Sequence, residues 1–291
     1  MSGLDKGKRF SVQAAATLLQ NANFKGFFTS RIYSGPIKQV CVPGLNCYSC
    51  PGAVGACPLG SLQNSLSALK FRFPYYILGL LLFFGAFLGR AVCCFICPFG
   101  WLQELLNMIP FFKKNRFRAD RPLRFLKYLI LAVMVVILPM AVKLTPFFCK
   151  YVCPAGTVAG LSLILANHTL QEMIGILFSW KTCLLLIVLI SSTMIHRPFC
   201  KYLCPLGAIY GLFSKFSLYQ MNLDKSRCVG CHKCEQVCPM QVKCTQNINS
   251  AECIRCGRCK AACPAHAIDS TFGFRLNKET ENNHATDIEG T

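Results

Sequence analysis

Thiols dominate the chemistry open to this chain, with 21 cysteines in 291 residues. Cysteine at that density suggests disulfide staples in a small secreted scaffold. A chain this long, 53% hydrophobic and only 15% charged, can bury a core without staples. The cysteines also fall in CxxC and CxxxCP clusters instead of scattered pairs, which is the spacing of metal thiolates.

The most specific pattern is CVGCHKCEQVCP, with Cys228, Cys231, Cys234 and Cys238, followed by CIRCGRCKAACP, with Cys253, Cys256, Cys259 and Cys263. Each run reads CxxCxxCxxxCP. Three thiolates of such a run wrap one 4Fe-4S cube, and the fourth, ahead of a proline that turns the chain away, ligates the other cluster. The expected sets are Cys228, Cys231, Cys234 and Cys263 for one cluster, and Cys238, Cys253, Cys256 and Cys259 for the second. Zinc sites take four ligands in separated pairs and do not fit two runs ending in Cys-Pro.

A shorter repeat occurs three times: CCFICP from Cys93 to Pro98, CKYVCP from Cys149 to Pro154 and CKYLCP from Cys200 to Pro205. Each is followed by a residue and then glycine. Cysteines four apart share a helix face, so two such motifs on neighbouring helices can offer four thiolates to one cluster. Cys93, Cys97, Cys200 and Cys204 form the expected third set. The plainer reading is that these are small buried residues at helix ends, because free cysteine packs like a hydrophobe.

A glycine- and proline-rich loop, CVPGLNCYSCPGAVGACP, holds Cys41, Cys47, Cys50 and Cys57. Four thiolates suffice for a fourth cluster, and equally for two disulfides if the loop faces an oxidising compartment. Cys149 and Cys153 fall on the same side, with no second pair unless the loop shares its ligands. Cys94, Cys183 and Cys244 have no motif partner and read as packing residues. Of the five histidines only His168 and His196 lie near apolar segments, and a haem held by them is disfavoured. No nucleophile triad, phosphate loop or carboxylate pair stands out, so any activity is cofactor-borne electron transfer.

The elements that position these thiols are mainly helical. Three apolar runs bracketed by Lys or Arg read as membrane spans: Phe73 to Gly89, Tyr128 to Val142 and Thr182 to His196. Their uncharged stretches fall short of the ~20 residues a span needs, but Lys127, Lys143, Lys181 and Arg197 can snorkel and lengthen them. Ser11 to Ser30 is either a weak first span or an amphipathic surface helix, and Ala155 to Trp180 is re-entrant or interfacial. The expected fold is a multi-span helical membrane domain followed by a small α+β ferredoxin-like domain for two 4Fe-4S clusters. Its parts are an N-terminal helix and Cys-rich loop (1–72), the membrane domain (73–215), the double ferredoxin (216–271) and a polar tail (272–291).

Net charge is +19, yet the basic residues flank apolar runs instead of forming one stripe, which argues against nucleic acid and for a topology signal. The loop with Lys113, Lys114, Arg116, Arg118, Arg121, Arg124 and Lys127 reads as cytoplasmic. That places the ferredoxin, Cys93, Cys97, Cys200 and Cys204 on the cytoplasmic face of a cell membrane, and Cys41 to Cys57 with Cys149 and Cys153 outside. Ser11 to Asn23 is too polar for the apolar core of a cleavable signal.

GRAVCCFICPFG (89–100), RPFCKYLCPLGAIYG (197–211) and the double ferredoxin together resemble the NapH/NosR type of membrane polyferredoxin, over roughly residues 73 to 271. The resemblance implies electron transfer between a quinol or cytoplasmic donor and a partner redox protein, flavin-binding or cytochrome. The Cys-rich loop and CKYVCP depart from the nitrate-reductase pattern and resemble a group of 4Fe-4S membrane proteins of anaerobic bacteria, sometimes found with flavin-binding partners. The leading expectation is an electron conduit that carries two 4Fe-4S clusters and one or two more, with quinone as a candidate partner. The rival is a redox-sensing regulatory or metalloenzyme-assembly protein. A transporter is disfavoured because the strong spans hold no interior acid or base.

Overall fold

The computed structural model describes residues 6–29, 31–68, 73–109, 120–143, 145–166 and 175–273. Lys113, Lys114, Arg116, Arg118, His168 and most of the polar tail lie outside the described residues.

Proline punctuates the helical part. Helices Pro58–Ser67, Pro98–Leu106, Pro154–Ala166 and Pro205–Phe213 all begin at the proline of a Cys-Pro pair. Proline suits the first helical position because its missing N–H would have no partner there and its φ is already helical. The preceding cysteine is forced to extended backbone, with ψ of 127° at Cys57, 115° at Cys97 and 112° at Cys204. In each of the three CxxxCP motifs a short helix precedes the turn: Ala91–Phe95, Phe147–Tyr151 and Pro198–Tyr202. The two cysteines of a motif therefore lie on either side of a helix–turn–helix corner.

Two helices among the described residues are long and apolar enough to cross a membrane, Pro122–Ala141 and Ile176–Met194. Only 22% and 17% of their apolar windows are buried in the protein, with Leu129, Ile137, Leu186, Ile187 and Ile190 facing outward. A soluble core helix would be mostly covered, and an exposed apolar face of this extent marks contact with lipid or protein. Pro139 sits inside the first of these helices, where its ring opposes the carbonyl of Val135. The chain accommodates it with a π-helical stretch over Leu131–Ile137.

The first expected span is shorter than its sequence suggests. Its helix covers only Tyr75–Phe87, 13 residues, because Gly89 turns the chain with φ of +54°. Part of the ambiguous segment from Ala155 to Trp180 joins the last span, since its helix begins at Ile176. The N-terminal helix, Lys6–Gln20, presents its polar side to the protein: Arg9, Gln13 and Gln20 are buried while Leu18 and Leu19 are exposed.

In the ferredoxin part, strands Tyr219–Leu223 and Ile268–Phe272 pair antiparallel, Tyr219 opposite Phe272 and Leu223 opposite Ile268. Between them the two cysteine runs repeat at an offset of 25 residues, and the backbone repeats with them. Left-handed φ angles occur at Gly230 and Arg255, at His232 and Gly257, and at Gln241 and His266. Each pair is 25 apart, so the same loop is built twice even where the residue is not glycine.

Candidate iron–sulfur sites

Cys93, Cys97, Cys200 and Cys204 come together in the helical part, all buried. Each pair is held by its own corner, and the corners meet where Phe99 packs edge-on against Phe199 at 5.2 Å. Polar donors are directed at the sulfurs. The backbone N–H of Gly207 donates to Cys204 Sγ at 3.4 Å, and Gln103 Nε2 donates to Cys200 Sγ at 3.2 Å. Gln103 is locked from its other end, its Oε1 accepting the N–H of Phe199 at 3.1 Å.

Two buried guanidiniums flank this group. Arg90 donates to the Cys200 carbonyl at 2.9 Å, and Arg197 donates to the Cys93 carbonyl and to Glu104 Oε2, the latter at 2.7 Å. Burial pushes the Cys93 thiol up to about 12 and the Cys200 thiol up to about 11, with neighbouring thiols adding to the rise. Such thiols stay protonated at neutral pH until a cation displaces the proton. Four thiolates held by iron would bring a large negative charge into a dry site, and Arg90 and Arg197 are placed to offset it.

Glu104 gathers three arginines, Arg9, Arg197 and Arg258, from the N-terminal helix, the third corner and the ferredoxin. Burial alone would raise its pKa, but Arg197 and Arg9 pull it down to about 2. A second network joins Arg90 and Lys127 to Glu252 of the ferredoxin. Arg90 also donates to the Ala251 carbonyl at 2.6 Å, Arg124 to that of Met240 at 3.2 Å and Arg255 to that of Leu88 at 2.8 Å. Hydrogen bonds from charged groups contribute roughly 1.5–3 kcal/mol each, so the ferredoxin is firmly seated on the helices.

Of the ferredoxin cysteines, Cys238, Cys253, Cys256 and Cys259 line a single apolar hollow with Met221, Met240 and Ile254. Cys234 and Cys263 pack into the same core, Cys228 is half-buried and Cys231 exposed. The cysteine that ends each run accepts a backbone N–H four residues on, Val242 to Cys238 Sγ and Ala267 to Cys263 Sγ, both at 3.4 Å. The hollow thus presents the four thiols that the spacing assigns to one cluster, with hydrogen bonds of the kind that tune cluster potentials.

The cysteines of the N-terminal loop separate. Cys47 and Cys57 line a cleft of about 730 Å³ together with Cys149 and Cys153. Cys41 and Cys50 do not line it: Cys41 Sγ lies 3.5 Å from Ser61 Oγ, and Cys50 Sγ 3.9 Å from Asn21 Oδ1. Among the described residues no three Cys, His, Asp or Glu side chains converge closely enough for a single metal ion. A four-iron cube holds its thiolates further apart than one ion does.

Against known proteins, a family model described as a 4Fe-4S binding domain matches three times, over residues 73–116, 126–167 and 176–224. Another, described as a 4Fe-4S dicluster domain, matches 220–264. Each of the first three matches holds one apolar helix and one CxxxCP corner. Among curated proteins, an uncharacterized protein of Methanocaldococcus jannaschii is 33% identical over 167 residues, 55% of this chain and 62% of that protein. The putative electron transport protein YccM of Escherichia coli is 28% identical over 208 residues, 66% of this chain and 55% of YccM. The ferredoxin-type protein NapH of Escherichia coli is 24% identical over 151 residues, 52% of this chain and 47% of NapH.

The chain belongs with the polyferredoxins of the NapH/NosR type. The match spans about half to three fifths of the length of these curated relatives. No solved structure matches it. The matching family models describe 4Fe-4S binding throughout, so the polyferredoxin is an iron–sulfur protein that binds multiple 4Fe-4S clusters.

Two residue groups around the sites escape a reading of motifs. Cys244 is buried in the ferredoxin hollow beside Cys238 and Cys259, and its thiol donates to the Val242 carbonyl at 3.5 Å and the Cys234 carbonyl at 3.9 Å. Its one signal in the sequence is a cysteine six residues past Cys238 with no motif of its own. Gln103, six residues past Cys97, is a fully buried amide beside Glu104 in a helix whose other residues are apolar. An interior glutamine in such a helix needs a partner, and that need could have pointed to it.

Proposed function

We propose that this polyferredoxin passes electrons between a cytoplasmic donor or the quinone pool and a redox partner, using the ferredoxin as the cytoplasmic port. The observation that carries the reading is the junction at Cys93 and Cys94. Cys93 belongs to the helical core with Cys97 and Cys204, whereas Cys94, the next residue, belongs to the ferredoxin core with Cys256 and Cys259. Arg9 donates to Cys94 Sγ at 3.6 Å at this junction. Bound iron–sulfur clusters would supply one-electron redox chemistry there, and the chain's part is to hold the two layers against each other in a dry interface.

Orientation is supported by where the charges fall. Arg9, Arg124, Lys127, Arg197 and Lys201 lie at the ferredoxin end of the two candidate spans, the side that positive charge assigns to the cytoplasm. The two spans run in opposite directions between that end and Cys149, whose carbonyl accepts from Lys181 at 3.3 Å. This arrangement supports a multi-pass reading in which the helix Tyr75–Phe87 lies between the same two levels.

Anaerobically purified protein in detergent tests the relay. With a low-potential donor, EPR signals of the ferredoxin and of the Cys93 site are expected to appear together, then to disappear on adding a menaquinone analogue or an oxidised flavoprotein. Clusters that are reduced but never reoxidised by either would leave the regulatory or assembly reading in place of the conduit.

A further inference from the structure

We propose that Cys47, Cys57, Cys149 and Cys153 ligate a fourth 4Fe-4S cluster, in a site that duplicates the construction of the Cys93, Cys97, Cys200 and Cys204 site. The loop from Cys41 to Cys57 on this reading does not hold a cluster by itself. It lends two thiols to the CKYVCP corner of Cys149 and Cys153.

The duplication is visible residue by residue. Cys57 opens CPLGSLQ and Cys97 opens CPFGWLQ, each at the start of a helix that begins with the proline. The glutamine six residues on is fully buried in both helices, Gln63 and Gln103. In both it accepts a backbone N–H from the facing corner, Cys149 N–H to Gln63 Oε1 at 3.4 Å and Phe199 N–H to Gln103 Oε1 at 3.1 Å. The facing corners match as well, CKYVCPAG opposite CKYLCPLG. A cation holds the carbonyl of the first cysteine in each corner, Lys181 on Cys149 and Arg90 on Cys200.

Glycine makes room in the same places. A Cβ on Gly207 would meet the Cys200 carbonyl at 3.2 Å and Arg90 Nη2 at 3.7 Å, and one on Gly156 would meet the Cys149 carbonyl at 3.9 Å and Lys181 Nζ at 3.6 Å. The Gly156 Cβ position is also 3.7 Å from Cys47 Sγ, and that of Gly60 is 3.8 Å from Cys149 Sγ. Thiols from both segments thus crowd one small cradle. The backbone N–H of Gly207 donates to Cys204 Sγ at 3.4 Å, and Cys57 and Cys153 likewise precede helices that begin at proline.

One buried atom calls for a sulfur acceptor at this site. Gln103 Nε2 donates to a cysteine sulfur at 3.2 Å, whereas Gln63 Nε2 is buried with no partner. A buried amide N–H without an acceptor is costly, and a sulfur acceptor on a bound cluster would satisfy it as the Cys200 sulfur satisfies Gln103. The repeat also explains why the loop looks unlike a CxxxCP motif. The position four before Cys57 is Ala53, so the second thiol comes from Cys47 instead.

The two helical sites adjoin. The Tyr210 hydroxyl donates to the Pro43 carbonyl at 2.9 Å, and a Cβ on Gly44 would lie 3.0 Å from Cys97 Cα. The fourth site would therefore continue the relay away from the ferredoxin, and only this role rests on the function proposed above.

Iron and sulfide counting with EPR tests the site apart from the relay. Anaerobic protein is expected to hold about sixteen irons, four per cube, and Cys149→Ser about twelve, with the signals of the other sites retained. Cys47→Ser, in a loop, serves in the same way where Cys149→Ser does not accumulate. Cys41→Ser and Cys50→Ser should keep the full count. Gln63→Leu should keep the iron but move the potential of one cluster to more negative values. The proposal is overturned if Cys41→Ser or Cys50→Ser loses four irons while Cys149→Ser does not. It is overturned equally if the wild type holds about twelve irons and mass spectrometry finds these four cysteines in disulfides. A full iron count with no donor-dependent turnover would sink the relay and leave the site standing.

Discussion

The ferredoxin and the helical layer bring cysteines together in opposite ways. In the ferredoxin, nine cysteines lie within residues 228–263, eight of them in the two runs, and a loop repeated at an offset of 25 sets the directions of those eight through backbone angles. In the helical layer, Cys93 and Cys97 meet Cys200 and Cys204 across more than a hundred residues of chain. No local rule directs that encounter. It depends on Gln103, Arg90 and Arg197, which tie one corner to the other through backbone carbonyls and N–H groups. A site made from local sequence tolerates changes in its surroundings, whereas a site made by packing is only as secure as the buried polar contacts that close it.

The strongest way to break that comparison is to remove one thiol from each layer. Cys97→Ser is expected to lose about four irons and leave the ferredoxin signals intact, and Cys256→Ser to lose its own cluster while the Cys93 site persists. Loss of every cluster from either variant, by iron analysis, would show that the layers do not load independently.

Next in size is the carboxylate that serves both layers. Glu104→Gln leaves Arg197 and Arg9 buried without their counter-charge, and breaking a buried pair in this way costs about 3–5 kcal/mol. The thermal unfolding midpoint should fall accordingly. Lys260→Ala, which removes a pair to the exposed Asp269, should leave it nearly unchanged.

Gly89→Ala probes the turn that leads into the junction at Cys93 and Cys94. Its φ of +54° is a left-handed conformation, and an added Cβ would come within 2.6 Å of Arg255 Nη1. A loss of about 1–2 kcal/mol is expected from the backbone alone, and more if Arg255 is displaced from the Leu88 carbonyl. Chemical denaturation of the variant and wild type measures it.

The smallest effect is in the pH response. His196 is buried next to Arg197, and burial followed by the arginine's charge lowers its pKa to about 3. Between its ordinary value of 6.5 and that pKa, the unfolded chain takes up a proton that the native state refuses. Stability therefore falls as pH drops below 6.5, by up to about 1.4 kcal/mol per pH unit. Unfolding midpoints at pH 7.5 and 5.5 should differ less for His196→Gln than for the wild type.

Much of this was legible in the residues. The double run of CxxCxxCxxxCP marks the 4Fe-4S dicluster region because thiolate spacing there is local, and three apolar runs mark helices because an apolar helix shows in hydropathy alone. The ends of those helices were less legible. A positive φ at Gly89 shortens the first, and a helix start at Ile176 extends the last beyond its uncharged core.

By itself the sequence determined which residues have thiols to offer, the local geometry of each corner, with proline fixing the helix start and cysteine the extended residue before it, and the tandem ferredoxin. The tertiary structure alone decided which corners face each other. Cys47 and Cys57 line one cleft with Cys149 and Cys153, apart from Cys41 and Cys50, because that choice depends on packing between segments distant in the chain. Spacing along the chain has no means to specify such packing.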